Sequence, residues 1–273
     1  MTAAARSIAA TALLLAAALP AQAIVGGTAT DGFRPVDSGV QITGSWVLTA
    51  RHVGYAQGGT YSNGWGSATI AMRYDLGAGP ELVNDLALLR LTSPIAAATA
   101  LDLLGDPLPV GLLATPLAVT IATGSNQVPR GYAFAALAEV IDQVELEVNK
   151  VVGNYGVNWL LAYDAGHGAP YVQGGDSGGG LFLGHVADSS GAVLMGITSA
   201  KLEFTPAEGG GFGSGFVQLA AYRGWIDTTM ANDPADSQLA HWVSAVPEPA
   251  TWALWLAGAA LMAGMARRRR VPA

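Results

Sequence analysis

Apolar residues in this chain fall in short runs, broken by Gly, Pro, Asn and Asp. The runs include Val40-Gln41-Ile42, Trp46-Val47-Leu48, Ala68 to Met72, Leu86 to Leu89, Ala118 to Ile121, Ala135 to Ile141, Trp159 to Leu161, Gly180 to Leu183 and Val193 to Ile197. Runs of that length with turn residues between them predict strands. Many short strands with frequent glycine predict an all-β barrel or sandwich. Glu145-Leu146-Glu147-Val148 alternates polar and apolar, the period of a half-buried strand. The period changes only near the C-terminus. Leu219, Tyr222, Trp225-Ile226 and Met230 recur three or four apart, which predicts one helix, ended by Asn232-Asp233-Pro234. A proline-punctuated stretch from Leu101 to Pro116 predicts the linker between two halves.

The two ends follow another pattern. Residues 1–23 carry one positive charge, Arg6, then an Ala/Leu tract closing on Ala21-Gln22-Ala23. That order predicts a secretory signal peptide, and its apolar tract is too short to be a stable membrane span. Ala250 to Ala266 is a second apolar block, followed by Arg267 to Arg270. As a helix it spans ~25 Å, close to a ~30 Å hydrocarbon core, and the arginines after it stay cytoplasmic by the positive-inside rule. Of the 13 Lys and Arg, five lie in these ends, and of the 20 Asp and Glu only Glu248 does. The body between, 24–247, therefore carries 8 basic against 19 acidic residues, a net −11. Nucleic acid is not a partner for such a surface. There is no cysteine, which excludes thiol catalysis and Cys-bound metal.

The candidate chemistry centres on Gly174-Gly175-Asp176-Ser177-Gly178-Gly179-Gly180. Glycines let the backbone turn sharply and let a ligand approach, so a serine there stands exposed beside main-chain N–H groups. That arrangement suits a nucleophile with an oxyanion hole. Upstream, Thr49-Ala50-Arg51-His52 places a histidine just past an apolar strand, and Asn84-Asp85-Leu86 places an acid at the start of another. The order His, Asp, Ser is one of the known triad orders. His185 and His241 show no metal-ligand spacing. Asp75 and Glu81 flank a Gly-rich turn that reads as solvated, and His167 lies in a Gly/Pro loop.

Four segments together resemble the chymotrypsin/trypsin family of serine peptidases: Ile24-Val25-Gly26-Gly27, Thr49 to His52, Asp85 to Leu89, and Gly175 to Gly179. The resemblance implies two six-stranded antiparallel β-barrels with a C-terminal helix. The first barrel is expected over 24–110 and the second, with the helix, over 111–232. A spacer is expected over 233–246, and no cofactor is implied. Ser177 is then the nucleophile, His52 its base and later acid, and Asp85 the group that fixes the imidazole. The N–H groups of Gly175 and Ser177 form the oxyanion hole. The resemblance also implies that the α-amine of Ile24 pairs with Asp176. Because Ile24 follows the predicted signal cleavage, no zymogen stage is expected. Tyr171, Ser199, Ala200 and Lys201 are expected at the specificity pocket. Tyr171 stands where trypsin-like members have an acid, so cleavage after Arg or Lys is not expected. Lys201 falls where many members have glycine, crowding the pocket or favouring an acidic partner. Val53 replaces a cysteine and Gly180 a common proline; neither touches the triad.

Val246-Pro247-Glu248-Pro249-Ala250, the apolar segment and the arginine cluster resemble a PEP-CTERM sorting signal of Gram-negative bacteria. That implies a sorting segment over 247–273 with an apolar transmembrane helix at 250–266. It also implies signal peptidase and an exosortase-type enzyme as processing partners, transient inner-membrane anchoring, and release toward the cell surface or outside. The combined reading is an exported serine endopeptidase acting on protein or peptide substrates. The alternative is a surface binding module on the same fold with a decayed site.

Overall fold

The computed structural model describes residues 24–77, 82–95, 100–125, 128–148, 151–163, 169–205 and 210–244. The signal peptide and the sorting segment of 247–273 lie outside them. The fold is all-β, with one short α-helix. After β1 (Thr28–Ala29) come β2 (Val40–Gln41), β3 (Trp46–Thr49), β4 (Thr60–Asn63), β5 (Gly66–Asp75) and β6 (Ala87–Leu91). The last five form one antiparallel sheet in the order β2-β3-β6-β5-β4. Strand β3 is buried on both faces. Successive side chains in a strand point to opposite faces, and here the two faces enter different cores. Val47 and Leu89 join Tyr61 and Ile70 in the core of this sheet. Trp46, Leu48 and Leu88 join a larger core with Ile197, Val217 and Leu219 from the other half.

The second sheet is built from β7 (Asp102–Leu104), β8 (Gly111–Ser125), β9 (Val128–Val148), β10 (Val151–Tyr163), β11 (Gly180–Leu183), β12 (Val193–Glu203), β13 (Phe212–Gln218) and β14 (His241–Val243). Six of them, in the order β11-β8-β9-β10-β13-β12, close into a ring, because β12 also pairs with β11. Val119, Ile121, Leu137, Leu160, Leu181, Met195 and Phe216 fill the ring. One half is therefore a closed six-stranded barrel. The other is, among the described residues, a five-stranded half-barrel, and the two together are consistent with a trypsin-like double barrel.

Three further expectations shift. The proline-rich linker is partly strand: β7 and the start of β8 lie in it. Strands β1 and β7 fall within 24–110 yet pair with the second sheet, on β9 and β12 respectively. The helix splits into a 3₁₀ turn, Leu219–Tyr222, and α1, Arg223–Ala231, burying Leu219, Ile226 and Met230.

A fourth shift is at the expected spacer. Residues 233–244 are docked on the body, because their polar groups find specific partners. Asp233 is buried and accepts hydrogen bonds from Arg90, Tyr74 and the N–H groups of Ala235 and Asp236. Burial works against its charge, but those four donors outweigh it and hold the carboxyl below the ordinary carboxylate range. Trp46 Nε1 donates to the Asp236 carbonyl. Strand β14 then pairs in parallel with β7, and Trp242 Nε1 donates to Asp227 at 2.7 Å. This strap touches the five-stranded sheet at one end and the nine-stranded sheet at the other.

Candidate active site

His52 lies on a single 3₁₀ turn, Arg51–Val53, directly after β3. Gly54 ends the turn in a left-handed conformation, φ 76°. Arg51 donates to the carbonyls of Gly77 and Val83, at 2.9 and 3.1 Å, which ties the histidine turn to the segment leading into Asp85. Asp85 is 1% exposed and begins the run into β6. Its carboxylate accepts three hydrogen bonds. Oδ1 takes the His52 backbone N–H at 3.0 Å. Oδ2 takes His52 Nδ1 at 2.8 Å and the Ser199 hydroxyl at 2.5 Å. On the far side of the ring, His52 Nε2 lies 2.7 Å from Ser177 Oγ. With Asp85 on Nδ1, the proton sits there and Nε2 accepts from the serine.

The serine is held by two turns. The Asp176 N–H bonds Gln173 O and the Gly179 N–H bonds Asp176 O, both at 3.1 Å. The Gly178 N–H donates to Thr198 O and the Thr198 N–H to Gly179 O. The glycines here are forced. Gly178 has φ +83°, and a Cβ on it would stand 2.1 Å from the Ser38 carbonyl oxygen. A Cβ on Gly179 would stand 2.7 Å from the Ala122 oxygen. Among the described residues, the N–H groups of Gly175 and Ser177 donate to no other group.

Ile24 and Asp176 are brought together. Both are 1% exposed. The Asp176 carboxylate accepts from the Gln173 N–H at 2.8 Å and from the backbone nitrogen of Ile24. Burial pushes its carboxyl up to about 6, against the pull of these bonds and of Thr123. Ile24 is β-branched yet has φ 48°, a left-handed conformation such residues rarely adopt.

The expected pocket residues divide. Tyr171 exchanges backbone hydrogen bonds with Val25, and its ring packs on Phe212 with centroids 4.8 Å apart. Lys201 Nζ lies 3.8 Å from the Phe212 centroid and 5.3 Å from that of Tyr171. The Ser199 hydroxyl donates to Asp85. Ala200 is buried in the shared core. Sequence reasoning missed Phe212, because its place opposite Glu203 depends on the β12–β13 register. It also missed Ser214, whose hydroxyl accepts the Val172 N–H. A hairpin pairing drawn back from Gly210-Gly211 was the one signal that pointed to them.

The weaker candidates lie away from the site. His185 stacks on Phe134, His241 pairs with Asp102, and Asp75 pairs with Arg73. His167 and Glu81 lie outside the described residues. A cleft of about 350 Å³, lined by Arg34, Trp65, Asp102 and Asp188 among others, contains none of the triad residues.

Comparison with protein families gives two matches. The trypsin family model matches residues 20–226. The PEP-CTERM protein-sorting motif matches residues 245–270. No curated protein matches the chain.

Proposed function

The chain belongs to the trypsin family, and from that premise we propose that it is a serine endopeptidase, cleaving peptide bonds through an acyl-enzyme on Ser177. The observation that carries this reading is the unbroken line of hydrogen bonds from Asp85 through His52 to Ser177 Oγ. A serine hydroxyl is a poor nucleophile near neutral pH. His52 Nε2 takes its proton as Oγ attacks the carbonyl carbon, then gives that proton to the leaving amine. Asp85 holds the imidazole and stabilises its charged form. The Ser199 hydroxyl in turn orients Asp85. The N–H groups of Gly175 and Ser177 receive the developing oxyanion, each worth ~3–4 kcal/mol of transition-state stabilisation. Water then attacks the acyl-enzyme along the same proton path.

The PEP-CTERM motif indicates export with surface or extracellular targeting, and it implies processing by an exosortase. We assign the first 23 residues as the signal peptide, removed by signal peptidase. Cleavage there makes the nitrogen of Ile24 an ammonium beside Asp176, so trimming on export also completes the site. The apolar 250–266 segment holds the protein transiently in the inner membrane before sorting. Among the described residues, no helix is long and apolar enough to cross a membrane.

A fluorophosphonate probe tests the core of the proposal. The protein beginning at Ile24 is labelled and cleaves a mixed peptide pool, and Ser177→Ala loses both. A well-folded protein beginning at Ile24 that is neither labelled nor active is instead a binding module on this fold.

A further inference from the structure

Lys201 occupies ground that the triad chemistry does not use. It lies on β12, two residues after Ser199, whose hydroxyl bonds Asp85. It pairs across the hairpin with Ser214, whose hydroxyl holds the N–H of Val172, five residues before Ser177. The ring of Tyr171 and the ring of Phe212 then bracket its ammonium. The bracket therefore borders both the serine loop and the strand that reaches the catalytic acid.

The bracket holds a cation without neutralising it. Among the described residues, Lys201 has no hydrogen bond and no carboxylate partner; its contacts are the two aromatic faces. Cation–ring contacts restrain the long side chain and cover one flank of the ammonium. They leave its three donors unsatisfied by protein. The lysine is exposed, and so in part is Phe212, so a ligand reaches it from solvent. The surrounding body is strongly acidic, which makes a cation held without a carboxylate partner a local exception to the field around it.

From this juxtaposition we propose that the Lys201–Tyr171–Phe212 bracket reads a carboxylate on the substrate, so that the enzyme selects peptides with Asp or Glu next to the scissile bond. The inference rests on the peptidase reading. A bound peptide covers the bracket and excludes water from its open side, which strengthens the ion pair over its value on a bare surface. The rings accommodate the methylene stem of a Glu or Asp side chain, and the ammonium receives its oxygens.

The test uses the full mature protein beginning at Ile24, matched peptide pairs differing only as Glu against Gln or Asp against Asn, and an unbiased peptide-library digest. The acidic member of each pair is cleaved with kcat/KM higher by up to about five-fold, the upper size of one exposed ion pair. The preference shrinks as salt rises. Lys201→Gln abolishes it, and Lys201→Glu turns it toward Lys or Arg at the same position. If Lys201→Glu does not fold, Lys201→Gln and the salt series still decide the matter. A protein that is labelled by the fluorophosphonate but shows no enrichment of Asp or Glu overturns this inference and leaves the peptidase reading standing. So does an acidic preference that Lys201→Gln leaves intact. A protein that is neither labelled nor active overturns both.

Discussion

Retaining residues ahead of Ile24 perturbs one buried carboxyl, and the size of the effect follows from the structure. With an amide at Ile24, burial raises the Asp176 carboxyl from 3.8 to about 6. That shift corresponds to roughly 3 kcal/mol against the ionised form at pH 7. The sign follows from linkage. A carboxyl raised on folding contributes stability at low pH, and that contribution is lost as pH rises from the unfolded value through about 6. The extended form should therefore lose stability between about pH 4 and pH 7. In a chain of this size 1 kcal/mol moves Tm by ~2–4 °C, so the loss is on the order of 6–12 °C. The left-handed φ of Ile24 adds about 1–3 kcal/mol of strain while the preceding peptide bond exists. Cutting that bond removes the torsional restraint and supplies an ammonium to Asp176. The α-amine, with an unperturbed pKa of ~7.7–8.0, is raised by the pairing. Its contribution is then present below that range and lost as pH climbs through the raised value. Melting curves from pH 4 to pH 10 on two purified forms, one beginning at Ile24 and one with a short extension, separate these cases. The extended form falls through neutral pH, and its Asp176→Asn variant does not. The form beginning at Ile24 holds through neutrality, falls in alkali, and alone is fully active. Superimposable curves and equal activities for the two forms would refute the reasoning.

Two further outcomes follow from named contacts. Asp85→Asn removes the acceptor that holds the proton on His52 Nδ1, so kcat should drop by ~10⁴ while the fold persists, measured by steady-state peptide hydrolysis and circular dichroism. Asp233→Ala strips Arg90 and Tyr74 of their shared partner, and removing one member of a buried pair costs about 3–5 kcal/mol. Its Tm should fall accordingly in calorimetry. The wild-type advantage should fade in acid as pH drops through the lowered value of Asp233, because a depressed carboxyl stabilises only where it is ionised.

The residues of the candidate site were legible in the sequence because each sits in a local pattern with a local cause. His52 follows a buried strand, Asp85 precedes one, and Ser177 lies among glycines that cannot carry a side chain. The all-β class was legible from run length for the same reason. What escaped depends on partners distant in the chain. Nothing near Ser199 indicates that its hydroxyl reaches Asp85, 114 residues away. Nothing near Asp233 indicates Arg90 or Tyr74, so a segment rich in polar residues reads as a spacer when it is a strap. Phe212 escaped because the hairpin register, not its neighbours, sets it against Lys201 and Tyr171.

A chain with no cysteine must hold two halves in register at the triad by other means, and three contacts act together. The alternation of β3 and β6 sends Trp46, Leu48 and Leu88 across into the core shared with β12 and β13. The strap fastens both sheets from outside through Asp233, Asp236 and β14. Closest to the chemistry, Gly178 is seated against the Ser38 carbonyl, which also accepts the Thr49 hydroxyl at 2.6 Å. Thr49 ends the strand that leads into His52. Gly178 therefore rests on the Ser38 backbone, and the Thr49 side chain carries that support to the strand that leads into His52.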